Sequence, residues 1–482
     1  MKKPNVVIIM ADQLRADVLG KGYTPNIDRI GHEGVIFNRA YCTSPLCVPA
    51  RGSFFTGRYP NETGSILNPW EPVDKKYGYV RSGIENLFGI MEQDWDSWHI
   101  GKQHFYNEDG IEKSPDAKTH WTHSGHDYRK FLKDNNKKSP GGAMFKGVLP
   151  EMAQGRITRK KTYSIPATGR YEEGFEYFFD GFFVNGAIEA MRKRDRAKPF
   201  LLNAMFLAPH PPLQIPEPWF SRVKEVNLPE NVGKWGTNQS PLQLYNLTGA
   251  IGTRYSREDW EKIWPVYLGL VSLLDDCVGM IVDELKAQGI YDDTLIIFTS
   301  DHGEMLGSHC LWQKMCMYEE SVRIPLYIKF PREMAFEGIQ SDELVSAIDV
   351  LPTLCDCLGL NPPKGMSGVS LMPALHGKAL DRDTIFIQFD GNGARGNFQR
   401  CAISGNYKLI VDIFKDETFI ELYDVVHDSQ ELVNLAFEPE YKKLIEDMLD
   451  KLKHYMLATN DLIALPDNLY ERFIADYSAF RT

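Results

Sequence analysis

Four short apolar runs, each ending in residues able to do chemistry, constrain this chain more than anything else in its sequence. Asn5 to Met10 leads into Asp12-Gln13, and Trp98 to Ile100 into Gly101-Lys102-Gln103-His104. Phe200 to Ala208 leads into Pro209-His210-Pro211, and Leu295 to Thr299 into Ser300-Asp301-His302. Continuous apolar runs of this length read as strands covered on both faces. Helical patterns lie between them: Leu270, Leu273, Leu274, Cys277 and Ile281 share one helical face just before the fourth run. The alternation predicts an α/β fold, a large mixed and mostly parallel sheet sandwiched by helices. Ligands of open α/β sheets bind outside the carboxyl ends of the strands, so the four polar ends are expected to converge on one site.

A chain of 482 residues exceeds one ordinary domain. From about Arg382 the pattern changes to short strands (Thr384 to Phe389, Arg400 to Ser404, Tyr407 to Val411, Phe419 to Tyr423) and a final amphipathic helix near Tyr441 to Met456. Residues 1–380 therefore read as the α/β domain, and residues 381–482 as a smaller C-terminal α+β subdomain of short antiparallel strands and a helix. The stretch from His104 to Tyr177 has little periodicity and reads as a long, loop-like insertion over the sheet. Apolar residues at 43% and charged residues at 25% exclude a disordered or fibrous chain. A net charge of −11 disfavours duplex nucleic acid and anionic membranes, so neither is expected as a partner. No run approaches the roughly 20 apolar residues of a membrane span. Met1 to Met10 carries two lysines, but the apolar part, Val6 to Met10, is too short for a signal core and reads as a buried strand. The expected location is cytoplasmic. The eight cysteines have no framework spacing and are expected to be mostly buried thiols.

The densest cluster of chemical residues is Pro45-Leu46-Cys47-Val48-Pro49-Ala50-Arg51-Gly52-Ser53-Phe54-Phe55-Thr56-Gly57. Cys47 stands beside a turn proline at the start of a helical segment with Arg51 one turn on. A helix N-terminus and a cation both lower a thiol pKa. The alternative is a packed thiol at a turn. At this cluster the chain resembles the formylglycine-dependent sulfatases of the alkaline phosphatase superfamily, whose C-x-P-x-R motif is matched by Cys47, Pro49 and Arg51. Further motifs follow in order: Ser97, Ile100, Gly101, Lys102 and His104, then Asp301-His302-Gly303, Tyr318-Glu319-Glu320, Ile324-Pro325-Leu326 and Glu421-Leu422-Tyr423-Asp424. Asp-Gln after the first strand together with the later Asp-His is most similar to choline sulfatases, phosphonate monoester hydrolases and related bacterial branches.

The resemblance implies a sulfuric ester hydrolase acting on a carbohydrate sulfate or a small organic sulfate. It implies oxidation of Cys47 to formylglycine (3-oxoalanine) by a transient formylglycine-generating maturation enzyme. It makes Asp12, Gln13, Cys47, Asp301 and His302 the metal site. Two carboxylates suit a hard cation, with calcium first and manganese or magnesium as alternatives. One hydroxyl of the hydrated aldehyde would attack sulfur while Arg51, Lys102 and Lys314 offset negative charge. His210 would serve the leaving oxygen, and His104 would hold or deprotonate the second hydroxyl. Asn68, 21 residues after Cys47, matches a substrate-anion contact. Arg395, in the turn that opens the small domain, would meet a carboxylate or second sulfate on the substrate.

Other features read as structural. His120, His123 and His126 invite a zinc reading, but no cysteine joins them and Gly125 interrupts any shared helical face. One of the three is instead expected to line the substrate pocket. The basic run Arg156 to Lys161 reads as a solvated loop, and the glycosylation patterns at Asn61, Asn238 and Asn246 as chance occurrences. Two rival functions remain open to the sequence. One is a phosphonate monoester or phosphodiester hydrolase on the same scaffold, and the other a non-catalytic anion or glycan binder.

Overall fold

The computed structural model describes residues 3–70, 74–112, 117–153, 156–391 and 397–478. Its frame is an eight-stranded sheet built from β1 (Asn5–Asp12), β2 (Val35–Tyr41), β3 (Asp96–Gly101) and β4 (His120–His123), with four later strands. A hairpin of β5 (Lys146–Ala153) and β6 (Arg156–Ser164) lies outside it, as does the small pair β7 (Thr168–Arg170) and β9 (Leu213–Ile215). The remaining strands of the main sheet are β8 (Phe200–Pro209), β10 (Thr294–Ser300), β11 (Leu326–Lys329) and β12 (Ile339–Ser346). The order is β12-β2-β11-β10-β1-β8-β3-β4, and β11 alone runs against the others. The sheet is thus mixed and mostly parallel, as the alternation of runs predicts.

β1 shows why the continuous apolar runs are central strands. Val6, Ile8 and Met10 pack into one hydrophobic core, and Val7, Ile9 and Ala11 into the core on the opposite face. Successive side chains of a strand point to opposite faces, so a strand covered by helices on both sides is apolar along nearly its whole length. The helix Arg257–Ala287 covers one face, starting from a capping box between Ser256 and Asp259. By length and composition it could cross a membrane, a stretch that the sequence reading does not register. It is instead largely buried, with Leu270, Leu273, Leu274, Cys277 and Ile281 in the core.

The C-terminal part is an antiparallel sheet of β13 (Thr384–Phe389), β14 (Asn397–Ser404), β15 (Tyr407–Phe414) and β16 (Glu417–Asp424) in sequential order. The helix Lys442–Ala458 lays Ile445, Met448, Leu449, Leu452 and Met456 on it at helical spacing. Tyr455 stacks on Phe386 with ring centroids 4.3 Å apart, and Tyr59 meets Tyr455 at 4.9 Å, which joins the two parts of the chain.

The stretch expected to be loop-like holds regular structure. β4 extends the main sheet, Gly125 precedes a helix at His126–Asp134, and the basic run lies on β6 rather than in a loop. Strand β4 pairs with β3 through its backbone, a long-range interaction that leaves little periodic signature. The three histidines there do not converge. His120 stacks on Trp98, His123 pairs with Glu112 at 3.0 Å, and His126 pairs with Asp127. Asn61 and Asn246 are buried, whereas Asn238 is exposed. All eight cysteines are free thiols, and six of them are buried.

Buried Arg400 on β14 holds Asp461 through two hydrogen bonds of 2.6 and 2.7 Å and Asp390 through one of 2.7 Å. Removing the guanidinium strands two carboxylates away from water. Arg400→Leu is expected to cost about 3–5 kcal/mol, read as a lowered urea midpoint.

Candidate active site

The sheet delivers its polar strand ends to one place. Asp12 is the last residue of β1, Lys102 follows β3, His210 follows β8, and Asp301-His302 follow β10. Cys47 and Arg51 come from the helix Cys47–Thr56, whose residues are all buried. Two glycines permit these approaches. Gly101, at φ +102°, sits where a Cβ would fall 2.1 Å from the Met205 carbonyl oxygen, and a Cβ on Gly303 would fall 1.9 Å from that of Glu320. Gln13 carries a positive φ of 70°, which turns its side chain out of the strand direction at the site.

The Cys47 sulfur is the centre. His302 Nε2 lies 3.1 Å from it, Lys314 Nζ 3.5 Å, Lys102 Nζ 3.6 Å and Asp12 Oδ1 3.9 Å. Asp12, Cys47, Asp301 and His302 present ligand atoms that all lie within 4.8 Å of one another. The Nδ1–H of His302 donates to the Gly303 carbonyl at 3.0 Å, so Nε2 offers its lone pair to the centre. Asp301 accepts from Arg51 Nε at 2.9 Å, and from the backbone N–H groups of Gln13 and His302. Lys102 Nζ contacts Asp12 Oδ2, and Lys314 Nζ donates to Gln13 Oε1 at 2.6 Å. Converging carboxylates, an imidazole lone pair and an amide oxygen form a donor set that fits a divalent cation.

Burial sets the electrostatics. It tends to raise the Asp301 pKa, but His302, Arg51, Lys102 and Lys314 outweigh it and hold the carboxyl below its ordinary range. Burial lowers His302 to about 3 against the pull of Asp301, so the ring is neutral. Burial also lowers Lys102 to about 7, with Asp301 opposing and Lys314 adding to the shift. Of the two sequence readings of Cys47, the structure fits the packed thiol. Its pKa is raised, because burial and Asp301 together outweigh Lys314 and Arg51. An unmodified Cys47 is a protonated thiol and a poor nucleophile here.

His104 and His210 flank this centre. Burial lowers both well below the ordinary value, and Lys102 and Lys314 push in the same direction. His210 donates from Nδ1 to the Pro211 carbonyl at 2.6 Å, leaving Nε2 available. His104, at φ 40°, has an unpartnered Nδ1 among the described residues, and the exposed Trp70 lies 5.1 Å from its ring. Asn68 is buried with Oδ1 unpartnered among the described residues, and no described contact joins it to Cys47. Arg395 lies outside the described residues.

Three supporting residues escape the sequence reading. Glu304 contacts Gln13 Nε2. Arg15 donates to the carbonyls of Glu304 and Met305 and to Ser308. Asp180 accepts from the N–H groups of Leu207 and Ala208 and so secures the end of β8 before His210. Only Glu304 has a sequence signal, its place two residues after His302.

The family model "Sulfatase" matches residues 4–360, and a second, "N-sulphoglucosamine sulphohydrolase, C-terminal", matches residues 307–457. The multifunctional alkaline phosphatase superfamily protein PehA of Trinickia caryophylli is 29% identical, covering 96% of each chain. The phosphonate monoester hydrolase of Agrobacterium radiobacter has a similar fold, with TM-score 0.74 and 22% identity over 95% of this chain and 96% of that one. A protein solved in complex with its substrate D-glucosamine-2-N,6-O-disulfate aligns with TM-score 0.75 and 20% identity, covering 96% and 99%.

Asp301→Asn removes one carboxylate charge from the donor set and the ionic partner of Arg51. It is expected to weaken divalent-metal binding by at least about tenfold, measured by metal titration with circular dichroism as the control for folding.

Proposed function

This chain belongs to the sulfatase family within the alkaline phosphatase superfamily and is a sulfuric ester hydrolase, and from that premise we propose how it works and on what. The reading is hydrolysis of a carbohydrate sulfate or another small organic sulfate, with Cys47 converted to formylglycine. The observation that carries it is the convergence on Cys47 of two lysine side chains, Lys102 and Lys314, with Asp12, Asp301 and His302. The thiol sulfur marks the position of the aldehyde-derived oxygen. A diol there supplies one oxygen to attack sulfur and a second hydroxyl that allows release by carbon–oxygen cleavage, which a thiol cannot do. Asp12, Gln13, Asp301 and His302 would hold a divalent cation, which when bound would supply Lewis-acid polarisation of the sulfate oxygens and favour the ionised nucleophile. Calcium is the proposed ion, with manganese or magnesium as substitutes.

The chain's own groups divide the remaining work. Lys102 and Lys314 stand where the sulfate oxygens gather charge, and Arg51 orients Asp301 while keeping one guanidinium nitrogen without a protein partner among the described residues. His210, neutral without substrate, gains a proton more readily once an anionic ester binds beside it, and then serves the leaving oxygen. His104, next to Lys102, serves the second hydroxyl. The organic half of the ester would rest on Trp70, an exposed ring beside His104 and of the kind that stacks on sugars and aryl groups. A protein of the same fold was solved in complex with its substrate, a sulfated glucosamine, which supports a carbohydrate ester as the substrate class.

Peptide mass spectrometry of protein from a host with a competent maturation system should find residue 47 as the aldehyde or its hydrate. A plain thiol in fully active protein would refute the mechanism. Purified protein is expected to prefer sulfated sugars or aryl sulfates over phosphate monoesters, with phosphonate monoesters as a side activity. A preference for phosphonate esters or phosphodiesters would replace the sulfatase reading of the substrate. Trp70→Ala should raise KM roughly 2- to 12-fold for the preferred ester with kcat little changed.

A further inference from the structure

A second group of buried ligands lies where the C-terminal segment meets the loop that carries Lys314. We propose that His309, Glu320 and Glu431 form a second divalent-cation site, with the Asn231 amide oxygen as a further donor. Their ligand atoms all lie within 4.8 Å of one another, and all three side chains are buried. The tautomer of His309 is settled by its neighbour. Gln239 Oε1 accepts from the Gly236 N–H at 2.8 Å, which identifies it as the oxygen. The contact at 3.0 Å between that oxygen and His309 Nδ1 is therefore donated by the ring. Nε2 is left with a lone pair, on a ring stacked against Tyr318 at 4.0 Å.

That lone pair faces more acceptors. Nε2 lies 4.0 Å from Glu320 Oε2, and neither atom has a hydrogen-bond partner among the described residues. Asn231 Oδ1 is likewise unpartnered, while its Nδ2 donates to Glu320 Oε1 at 2.5 Å, and the Gln430 carbonyl also faces the His309 ring. Buried acceptors without a donor are costly, and a cation resolves the conflict. Two metal–ligand bonds of about 2.0–2.1 Å span the 4.0 Å gap only with the two atoms nearly opposite each other on the ion, as in an octahedral site. The charge balance agrees. Lys408 serves both Glu319 and Glu431, at 2.9 and 2.6 Å. Arg15 stands 3.9 Å from Glu320 but is committed to Asp17 through two hydrogen bonds. A cavity of about 230 Å³ lined by Asp17, Glu319, Arg323 and Gln430 also reaches Glu320. One imidazole among carboxylates suits zinc or manganese better than calcium. The ion would tie Glu431, after β16, to the segment between His309 and Glu320 that holds Lys314 in place.

The test is metal content, independent of turnover. Protein equilibrated with excess zinc or manganese chloride, desalted and measured by plasma mass spectrometry, should hold two ions per chain. His309→Gln should lose one, and Asp301→Asn should lose the other. Unchanged content in His309→Gln for both metals would overturn the site. Because loss of a buried ring can cost stability, crystals of the unaltered chain soaked with each metal supply the second measurement. An anomalous peak between His309 Nε2 and Glu320 Oε2 is expected. A water there, with no anomalous signal for either metal, would overturn the proposal whatever the variant does.

Discussion

The ion pair between Arg51 and Asp301 is the interaction on which the rest of the site depends. Both side chains are wholly buried, with Nε 2.9 Å from Oδ2. Such a pair repays its desolvation only when further hydrogen bonds satisfy most of the lone pairs and protons around it. Here Asp301 takes two backbone N–H groups as well, and Arg51 also donates to the Lys102 carbonyl. One pair thus fastens the helix that carries Cys47 to the ends of β1, β3 and β10. The positions of Lys102 and Asp12 follow from that fastening, because each stands within one residue of a strand end so held.

The same economy of buried charge runs through the joint with the C-terminal part. Arg400 answers Asp390 and Asp461, and Lys408 answers Glu319 and Glu431. Arg400 ties segments of the C-terminal part to one another, whereas the Lys408–Glu319 pair crosses to the large part, beside an apolar core in which Ile385, Ile387, Ile403 and Ile410 join residues of the main sheet. Tyr59 against Tyr455 supplies an apolar contact at the same joint. Around His309 the acceptors outnumber the donors, a surplus that a bound cation would answer.

Much of the architecture was legible because its signals are local. The strands at Asn5, Phe200 and Thr294 have apolar centres interrupted only by Asn203, and the helix Lys442–Ala458 repeats its apolar residues at helical spacing. β4 was not legible, since a short edge strand is held by pairing with β3 and needs no pattern of its own. Glu304, Arg15 and Asp180 were missed for a related reason. Each is an ordinary polar residue until the fold buries it and gives it one particular partner.

The candidate residues Asp12, Cys47, Arg51, Lys102, Asp301 and His302 stand in short motifs whose order along the chain can be read directly, and Lys314 comes with the family resemblance alone. What they do to one another was decided only by tertiary structure. The helix start and nearby arginine suggest a lowered thiol pKa at Cys47, yet the folded environment raises it. Likewise nothing in the spacing of His309, Glu320 and Glu431 places them together. Residue types and short-range periodicity are properties of the chain, whereas desolvation and the distances between buried charges exist only after the strands have packed.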